Sequence, residues 1–232
     1  MKTDTTTKIN FLLPMKGHSE RVPGKNMKIF RGKPLYHSVM AGLLNSRYRG
    51  RVWVDTDSEI IAADVRQNFP EVEIINRPVE LCGDDVSMNR IIKHDISVSG
   101  GEYFLQTHST NPLLGRETID RAIEFFLDNT GSYDSLFGVN RIQSRLYNSS
   151  GVPINHDPES LIKTQDLEPV YEENSNIYIF SRESFFDAGE KRIGRRPFMY
   201  EVPRFESLDI DTRSDFDMAL FLAEFLKKNV NE

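Results

Sequence analysis

The sequence predicts an α/β protein with a three-layer, wound mixed sheet and helices on both faces. Short apolar runs bounded by Gly, Pro or Asp alternate with amphipathic stretches, and a basic, glycine-containing loop follows the first run. Alternation of this kind favours parallel strands joined by helical crossovers. The loop falls where an open α/β sheet binds its ligand, at the carboxyl end of the first strand.

The elements follow in order along the chain. Strands are predicted at the short apolar runs 9–13, 51–54, 72–75, 102–107, 133–139 and the run after Asn174. Helices are predicted where apolar residues recur at helical spacing, in 33–45 with Pro34 in the first turn, 58–68, 90–98, 115–129 and 214–226. The stretch 141–166 has no period, which indicates an excursion from the sheet: a small β extension, a lid or an oligomer arm.

The length, net charge and cysteine content exclude several classes of protein. A length of 232 residues suffices for one large domain, and a net charge of −6 argues against a general nucleic-acid binder. No apolar stretch of about 18 residues and no signal-peptide core occur, so we expect no membrane partner. The single Cys82 indicates a reducing, cytoplasmic compartment. We expect residues 1–8 to form a flexible tail and residues 9–232 a single domain.

The loop within residues 12–26 is the strongest local signal. It carries Gly17 and Gly24 beside the basic side chains Lys16, Arg21 and Lys25. Glycines let a backbone approach a ligand closely, and basic side chains bind phosphate oxygens. The loop does not match the P-loop pattern G-x-x-x-x-G-K-[ST], and the dinucleotide pattern G-x-G-x-x-G is absent. The residues alone therefore leave two interpretations open, a phosphate site or a solvated basic turn.

The run from Pro14 to Asn26 resembles a known signature as a whole. It reads P-M-K-G-H-S-E-R-V-P-G-K-N, against P-A-R-G-G-S-K-R-[IV]-P-G-K-N in the acylneuraminate (CMP-sialic acid synthetase-like) cytidylyltransferases. The chain departs from that family at Lys16, where Arg is usual, and at Glu20, where Lys is usual. The resemblance implies that the loop cations are catalytic and hold triphosphate oxygens, namely Lys25, Arg21 and Lys16. It implies further nucleotide contacts from Pro14, Met15, Gly17, Ser19 and Asn26.

Two blocks in the middle of the chain also resemble the family. The run 77–87 resembles R-P-x-x-L-x-x-D-T-x-S, which implies nucleotide contacts from Arg77 and Ser87. The run after the predicted strand 102–107 resembles L-Q-P-T-S-P-L but is two residues longer. The resemblance therefore leaves the nucleotide-binding role there to either Gln106 or His108.

Two later blocks carry the residues that the family uses for its sugar. The run 163–167, K-T-Q-D-L, is partly similar to R-Q-x-L-P, and the run 172–180 is similar to x-x-N-G-A-I-Y-I. The resemblance implies sugar contacts from Gln165, Asn174 and Lys163. Without it, Asn174 is equally well explained as a turn residue ahead of a strand.

The run 206–212, E-S-L-D-I-D-T, closely matches the family's E-S-x-D-I-D-T. On a strand, Asp209 and Asp211 would lie two apart and point to one face. Two such carboxylates repel each other unless a cation lies between them, and oxygen ligands suit Mg²⁺. We therefore expect Asp209 and Asp211 to bind Mg²⁺. The alternative is a cap for the last helix from Thr212, Ser214 or Asp215.

The resemblance extends from about residue 9 to residue 226, with its blocks in family order. It implies a nucleotide-diphospho-sugar transferase-like fold in which 141–166 is a small dimerisation extension, and hence a homodimer. The implied activity is that of a sugar nucleotidyltransferase. Such an enzyme couples a nucleoside triphosphate, most simply CTP, to an acidic keto-sugar such as a sialic-acid-like sugar and releases pyrophosphate.

Other functions fit parts of the sequence. Asp55-Thr56-Asp57 follows a predicted strand and resembles the D-x-D metal site of glycosyltransferases of similar fold. Asp209-Ile210-Asp211 is close to the D-x-D-x-T motif of phosphatases, although that motif begins a domain and here lies near the end of the sequence. A module that binds a nucleotide or sugar without turnover is the third alternative. In that case Lys16 and Glu20 would mark lost activity.

Overall fold

A mixed sheet of seven strands forms the centre of the computed structural model, which describes residues 7–19 and 21–229. The strands of these residues are β1 (Ile9–Met15), β2 (Ile29–Phe30), β3 (Lys33–Pro34), β4 (Arg49–Thr56), β5 (Glu73–Asn76), β6 (Tyr103–Gln106), β7 (Ser135–Ile142), β8 (Val170–Ser181) and β9 (Pro197–Glu201). Their helices are α1 (Tyr36–Leu44), α2 (Glu59–Asn68), α3 (Met88–Ser99), α4 (Arg116–Asp128), α5 (Arg182–Asp187) and α6 (Arg213–Asn229).

The strand order of the large sheet is β5-β4-β1-β6-β8-β7-β9, and β2 pairs with β3 in a separate small sheet. β1 runs parallel to β4 and β6, β4 to β5, and β7 to β9, whereas β8 runs antiparallel to both of its neighbours. The predicted wound, mixed sheet is therefore confirmed. Because only β8 is reversed, the other six strands end at one side of the sheet, which we call the carboxyl edge.

Helices cover both faces of the sheet. On one face, α1, α2 and α4 pack against alternate residues of β1 that include Phe11 and Leu13. On the other face, Ile92 of α3 and Phe185 of α5 pack in one cluster with Leu12 of β1. Burying one side chain of this size contributes about 1.5–3 kcal/mol, so these two clusters hold the three layers together.

A third apolar cluster positions the end of the chain. Phe216 of α6 packs edge-on against Phe30 of β2, with ring centroids 5.9 Å apart. Ile210 lies fully buried in the same cluster, just before α6 begins. This packing fixes the segment 207–211 beside the loop that follows β1. Two segments that are far apart in the sequence, and that were predicted to bind phosphate and metal, are thereby brought together.

The prediction that Lys33-Pro34 opens the first helix is wrong. These residues form β3, in which Pro34 pairs with Ile29, and the helix begins at Tyr36. Proline has no N–H to donate, but it is tolerated in an edge strand such as this one.

β8 carries an irregularity that bears on the site. Its pairing with β7 changes from Phe137–Tyr178 to Val139–Glu173, so β8 has more residues than β7 over this interval. Ser175 within it adopts a left-handed conformation with φ of 58°. A bulge of this kind bends the strand and redirects side chains. Here it lies at the carboxyl edge and includes Asn174.

The excursion predicted at 141–166 begins slightly later in the structure. Arg141 and Ile142 belong to β7, and residues 143–169 contain one short 3-10 turn, Thr164–Asp166, and isolated bridges. Side-chain amides replace a regular ladder: Asn155 Nδ2 donates to the carbonyl oxygens of Ser144 and Glu168, at 2.9 and 3.1 Å. The segment is thus ordered by local hydrogen bonds. Its role in oligomerisation stays a prediction.

Candidate active site

The loop after β1 is held in place by an asparagine. Asn26 is buried; its Nδ2 donates to the carbonyl oxygen of Lys16 at 2.8 Å, and its Oδ1 accepts from Ser109 Oγ at 2.6 Å. The first bond closes the loop on itself, and the second ties it to the segment that follows β6. Asn26, predicted as a nucleotide contact, therefore positions the loop in this structure.

Gly17 is required by a close approach between two loops. Its N–H donates to Asp57 Oδ1 at 2.6 Å, and a Cβ at this position would come within 2.7 Å of Ser58 Cβ. Any larger residue would push the loop away from the end of β4. Pro14 and Met15, also predicted as nucleotide contacts, are buried at the end of β1, and Ser19 is partly exposed.

The three loop cations each face an acid of this chain. Lys16 Nζ lies 2.8 Å from Asp84 Oδ1, and Arg21 Nη2 donates to Asp211 Oδ1 at 2.7 Å. Lys25 Nζ lies 3.6 Å from the same Asp211 oxygen and donates to the backbone oxygen of residue 210 at 2.5 Å. Its side chain is only 13% exposed, so Lys25 is the most shielded of the three loop cations. Glu20, which was predicted to mark lost activity in a non-catalytic module, lies outside the described residues.

Arg77 and Asp55 form a buried ion pair below the site. Arg77 Nε donates to Asp55 Oδ1, and the Arg77 and Asp55 side chains are 1% and 0% exposed. Arg77 Nη2 lies 3.5 Å from the carbonyl oxygen of Met15, at the start of the loop. The structure therefore gives Arg77 a supporting position and not the exposed one implied by the resemblance. It also contradicts the glycosyltransferase alternative, because Asp55 cannot bind a metal together with Asp57 while it faces the core.

Asp95 of α3 completes this buried cluster. Burial first, and then the charge of Asp55, raise the pKa of Asp95 to about 9, while Arg77 opposes the shift. Burial therefore favours the neutral form of Asp95, whose two side-chain oxygens have no hydrogen-bond partner, and Asp55 Oδ2 has none either. Arg77 and Asp55 form the ion pair of this buried cluster.

Gln106 and His108 lie at the end of β6 and contact a residue that no motif indicated. Gln106 is fully buried, and its Oε1 accepts from Arg192 Nη1 at 2.6 Å. His108 Nε2 lies 3.5 Å from the same nitrogen. Burial first, and then the charges of Arg192 and Lys25, lower the pKa of His108 to about 3, so its imidazole is neutral. Both candidates for the nucleotide contact are thus coupled to Arg192.

A large cleft opens at the carboxyl edge. It has a volume of about 1450 Å³ and is lined by the β8 bulge and by the segment after β9, including Asn140, Glu173, Asn174, Ser175, Asp209 and Asp211. Asn174 donates through Nδ2 to Asn140 Oδ1 at 3.1 Å, and its Oδ1 accepts from the backbone of Asn176. The cleft therefore brings the predicted metal ligands and one predicted sugar contact together.

Three further predicted contacts lie apart from the cleft. Lys163 and Gln165 are exposed on the segment 143–169, and neither lines the cleft. Ser87 is exposed at the N-cap position of α3, where its side chain makes no capping hydrogen bond.

Asp209 and Asp211 lie in an irregular segment, so their predicted placement on a strand is wrong. Their backbone is directed instead by the burial of Ile210 and by Asp215, whose Oδ2 accepts from the N–H of Asp211 at 3.1 Å. Both acids nevertheless face the same cleft. The side chain of Asp215 also accepts from Thr212, so the capping alternative holds alongside the shared cleft.

Asp209 has an unused oxygen. Its Oδ1 is buried and has no hydrogen-bond partner. Burial raises the pKa of Asp209, a hydrogen bond from Thr110 opposes that shift, and the charge of Asp211 adds to it. Within the described ranges, His, Cys, Asp and Glu side chains form no group of three that could hold a metal. Two carboxylates suffice for a cation such as Mg²⁺, which keeps waters and takes its remaining ligands from substrate phosphates.

Sequence reasoning missed Asp57, Asp84 and Arg192. Asp57 was considered only as a metal ligand, and Asp84 only as part of a matching block. Arg192 stands in the basic run K-R-I-G-R-R, which carries no chemical pattern of its own.

Comparisons with known proteins bear on the family of the chain and on its fold. A family model described as "Cytidylyltransferase" matches residues 10–228. An N-acylneuraminate cytidylyltransferase of Streptococcus agalactiae serotype V is 24% identical over 212 residues, which cover 88% of this chain and 51% of that protein. A pseudaminic acid cytidylyltransferase of Campylobacter jejuni serotype O:2 is 25% identical, covering 91% of this chain and 94% of that protein. The chain spans about half the length of the N-acylneuraminate relatives it matches.

Solved structures share the fold. A CMP:2-keto-3-deoxy-manno-octonic acid synthetase complexed with CTP superposes with a TM-score of 0.69 at 15% identity, covering 94% of this chain and 99% of that chain. A cytidylyltransferase of Leptospira borgpetersenii serovar Hardjo-bovis superposes with a TM-score of 0.60 at 16% identity, covering 97% and 96%. The predicted nucleotide-diphospho-sugar transferase-like fold is confirmed. Each helix of the described residues is too short or too polar to span a lipid bilayer.

Proposed function

The chain belongs to the cytidylyltransferase family, and we propose that it is a sugar nucleotidyltransferase that couples CTP to an acidic keto-sugar and releases pyrophosphate. The names of its relatives support this substrate class, since they act on N-acylneuraminate and pseudaminic acid. The observation that carries the proposal is the meeting of Arg21 and Lys25 with Asp211, beside the unpaired oxygen of Asp209. Cations for a triphosphate and carboxylates for a divalent cation lie in one place.

The loop cations are proposed to hold the triphosphate. Lys25, Arg21 and Lys16 now neutralise acids of the chain, and phosphate oxygens would compete for the same nitrogens. The pairs of Lys16 and Arg21 are exposed and screened by solvent, so little free energy is lost when a highly charged ligand replaces them. Lys25 is shielded and keeps its place through its backbone bond to residue 210.

The reaction that follows is direct transfer. The sugar hydroxyl oxygen forms a bond to the α-phosphorus, the bond from that phosphorus to the pyrophosphate oxygen breaks, and the hydroxyl proton leaves to solvent. Such chemistry depends on positioning and on electrostatic stabilisation of the phosphate oxygens. The residues described supply both through the loop cations and through the cleft that holds the second substrate.

We assign Mg²⁺ to Asp209 and Asp211. The fit rests on the buried, unpaired Asp209 Oδ1 and on the position of both acids in the cleft. A divalent cation there would neutralise charge on the phosphates and orient them. Asp211 would have to exchange its contacts with Arg21 and Lys25 for the metal, while those two cations turn to the phosphates.

The sugar is proposed to occupy the cleft beside Asn174. Its amide is held by Asn140 and by the bulge of β8, which fixes the side chain before a ligand arrives. Lys163 and Gln165 reach this site only if the segment 143–169 moves or if a second copy of the chain supplies them. We propose a homodimer through this segment, which exposes the apolar side chains of Tyr147, Val152, Ile154, Leu161 and Ile162. The cytoplasm stays the predicted location.

A screen of pyrophosphate release tests the proposed function. Each of CTP, GTP, UTP and ATP is paired with sialic, legionaminic, pseudaminic and 3-deoxy-octulosonic acids, and with a neutral sugar phosphate. We expect release with CTP and at least one keto-acid sugar. Binding of CTP without release under any pairing would favour the non-catalytic module, and equal release with every triphosphate would contradict the assignment of CTP.

A further inference from the structure

Arg192 is a largely buried cation at the carboxyl edge. It lies in the segment between α5 and β9, and its side chain is 16% exposed. Its guanidinium lies over the Tyr178 ring, 3.7 Å from the centroid, and its backbone N–H donates to Asn89 Oδ1 at 3.3 Å. Stacking of this kind fixes the plane of the guanidinium. The side chain is therefore held in one orientation.

The charge of Arg192 is incompletely paired. Its Nη1 donates to the neutral Gln106 at 2.6 Å, while Nη2 lies 3.9 Å from Glu173 Oε1, beyond hydrogen-bonding distance. The Glu173 side chain is 44% exposed and already accepts from the Tyr178 hydroxyl, so solvent screens its charge. A guanidinium has five N–H donors, and a buried cation is stabilised when acceptors meet them. The guanidinium of Arg192 therefore has no anionic partner at hydrogen-bonding distance among the described residues.

We infer that Arg192 binds the carboxylate of the acidic sugar and so determines the specificity of the chain for acidic substrates. The inference rests on the proposed function, in which two anionic substrates meet at one edge. The cations of the loop after β1 are assigned to the triphosphate, whereas Arg192 belongs to another segment. Glu173, 3.9 Å from Arg192, lines the cleft proposed for the sugar, and so does Ser175, which accepts from the hydroxyl of Tyr178. A planar guanidinium matches a carboxylate with two parallel hydrogen bonds.

Arg192 supplies the positive charge for the carboxylate, because its neighbours His108 and Gln106 are neutral. His108 is uncharged, and Gln106 is an amide, so neither competes as a cation. The other arginines of the segment, Arg195 and Arg196, are exposed. Arg195 therefore provides a matched control with the same charge in the same segment.

Calorimetry tests the inference without turnover. The acidic keto-sugars of the panel are titrated into the parent chain, into Arg192→Gln and into Arg195→Gln. The methyl ester of the acid that binds the parent most tightly is then titrated into the same three proteins. We expect Arg192→Gln to weaken binding of the free acid roughly tenfold to hundredfold and to leave the weak binding of the ester unchanged. Arg195→Gln should match the parent. Equal losses for acid and ester, equal losses in both variants, or no binding of any acid by the parent would overturn the inference.

A second variant covers the case in which Arg192→Gln does not fold. Glu173→Gln keeps Arg192 in place, retains an acceptor for Tyr178 and removes the carboxylate that competes with the ligand. We expect it to bind the free acid several-fold more tightly than the parent, by relieving like-charge repulsion. Unchanged or weaker binding of the acid by a folded Glu173→Gln variant would overturn the inference.

Steady-state kinetics separate this inference from the proposed function. With pyrophosphate release as readout, Arg192→Gln should raise the KM for the acidic sugar while the KM for CTP stays within about twofold. A parallel rise in the KM for CTP would mean that Arg192 contacts the nucleotide and would overturn the inference. A parent that binds acids through Arg192 but releases no pyrophosphate would refute the proposed function and leave the inference standing.

Discussion

Lys25 is the loop cation whose removal should cost most. In the structure its Nζ donates to the backbone oxygen of residue 210 at 2.5 Å and lies 3.6 Å from Asp211 Oδ1. Lys25→Ala removes a positive charge from a shielded position and leaves the charge of Asp211 less compensated. Both changes disfavour a triphosphate at this point.

The expected loss of CTP affinity depends on how deeply each cation is buried. A hydrogen bond to a charged group contributes about 1.5–3 kcal/mol, so Lys25→Ala should weaken CTP binding roughly tenfold to hundredfold. The Arg21 side chain is 65% exposed, and solvent screening reduces an exposed pair to about 0–1 kcal/mol. Arg21→Ala should therefore weaken CTP binding by less than about fivefold. Affinity for the sugar should change little in either variant.

Isothermal calorimetry with CTP measures these differences directly. Lys33→Ala is the control, because Lys33 is exposed on β3 and lies outside the loop. It should bind CTP as the parent does. A folded Lys25→Ala variant with unchanged affinity for CTP, or with a loss no greater than that of Arg21→Ala, would refute the assignment of Lys25 to the triphosphate.

Three further predictions concern other parts of the structure. Asp209→Asn and Asp211→Asn should each lower Mg²⁺-dependent turnover by orders of magnitude while circular dichroism stays unchanged, and near-parent rates would refute the metal assignment. Asp95 binds its proton more tightly in the folded chain, so its contribution to stability falls as pH rises from about 4 towards 9. The free energy of unfolding of Asp95→Asn, measured with denaturant, should therefore rise relative to that of the parent as the pH increases from 5 to 8. A difference that does not change with pH would contradict the neutral state of Asp95. Light scattering at micromolar concentration should give a dimer, whereas a monomer would contradict a dimer interface formed by residues 143–169.

The sheet and the loop after β1 could be predicted because their signals are local. Apolar runs and helical spacing need only neighbouring residues, and the motif 14–26 contains its own glycines and cations. The match at 206–212 likewise identified two acids that do share a cleft. Their backbone was predicted wrongly: Ile210 is buried between two acids that face the cleft, but the N–H of Asp211 donates to the Asp215 side chain instead of to a neighbouring strand.

Contacts between distant segments account for what the sequence could not predict. Arg77 matched a nucleotide-binding block, yet its partner Asp55 lies on the neighbouring strand and draws it into the core. Arg192 belongs to no motif, since Gln106 and Tyr178 come from two other strands. Such residues become visible only when the fold brings their partners together, because side-chain spacing along the chain carries no signal for them.

We propose that this chain of 232 residues transfers a cytidylyl group from CTP to an acidic sugar, whose hydroxyl attacks the α-phosphorus directly. The most direct measurement is the product stoichiometry of the purified chain, with pyrophosphate assayed enzymatically and the nucleotide product identified by mass spectrometry. We expect one CMP-sugar for each pyrophosphate, and no pyrophosphate when the sugar is left out. Pyrophosphate accompanied by free CMP, or CTP left intact with every acidic sugar offered, would contradict it.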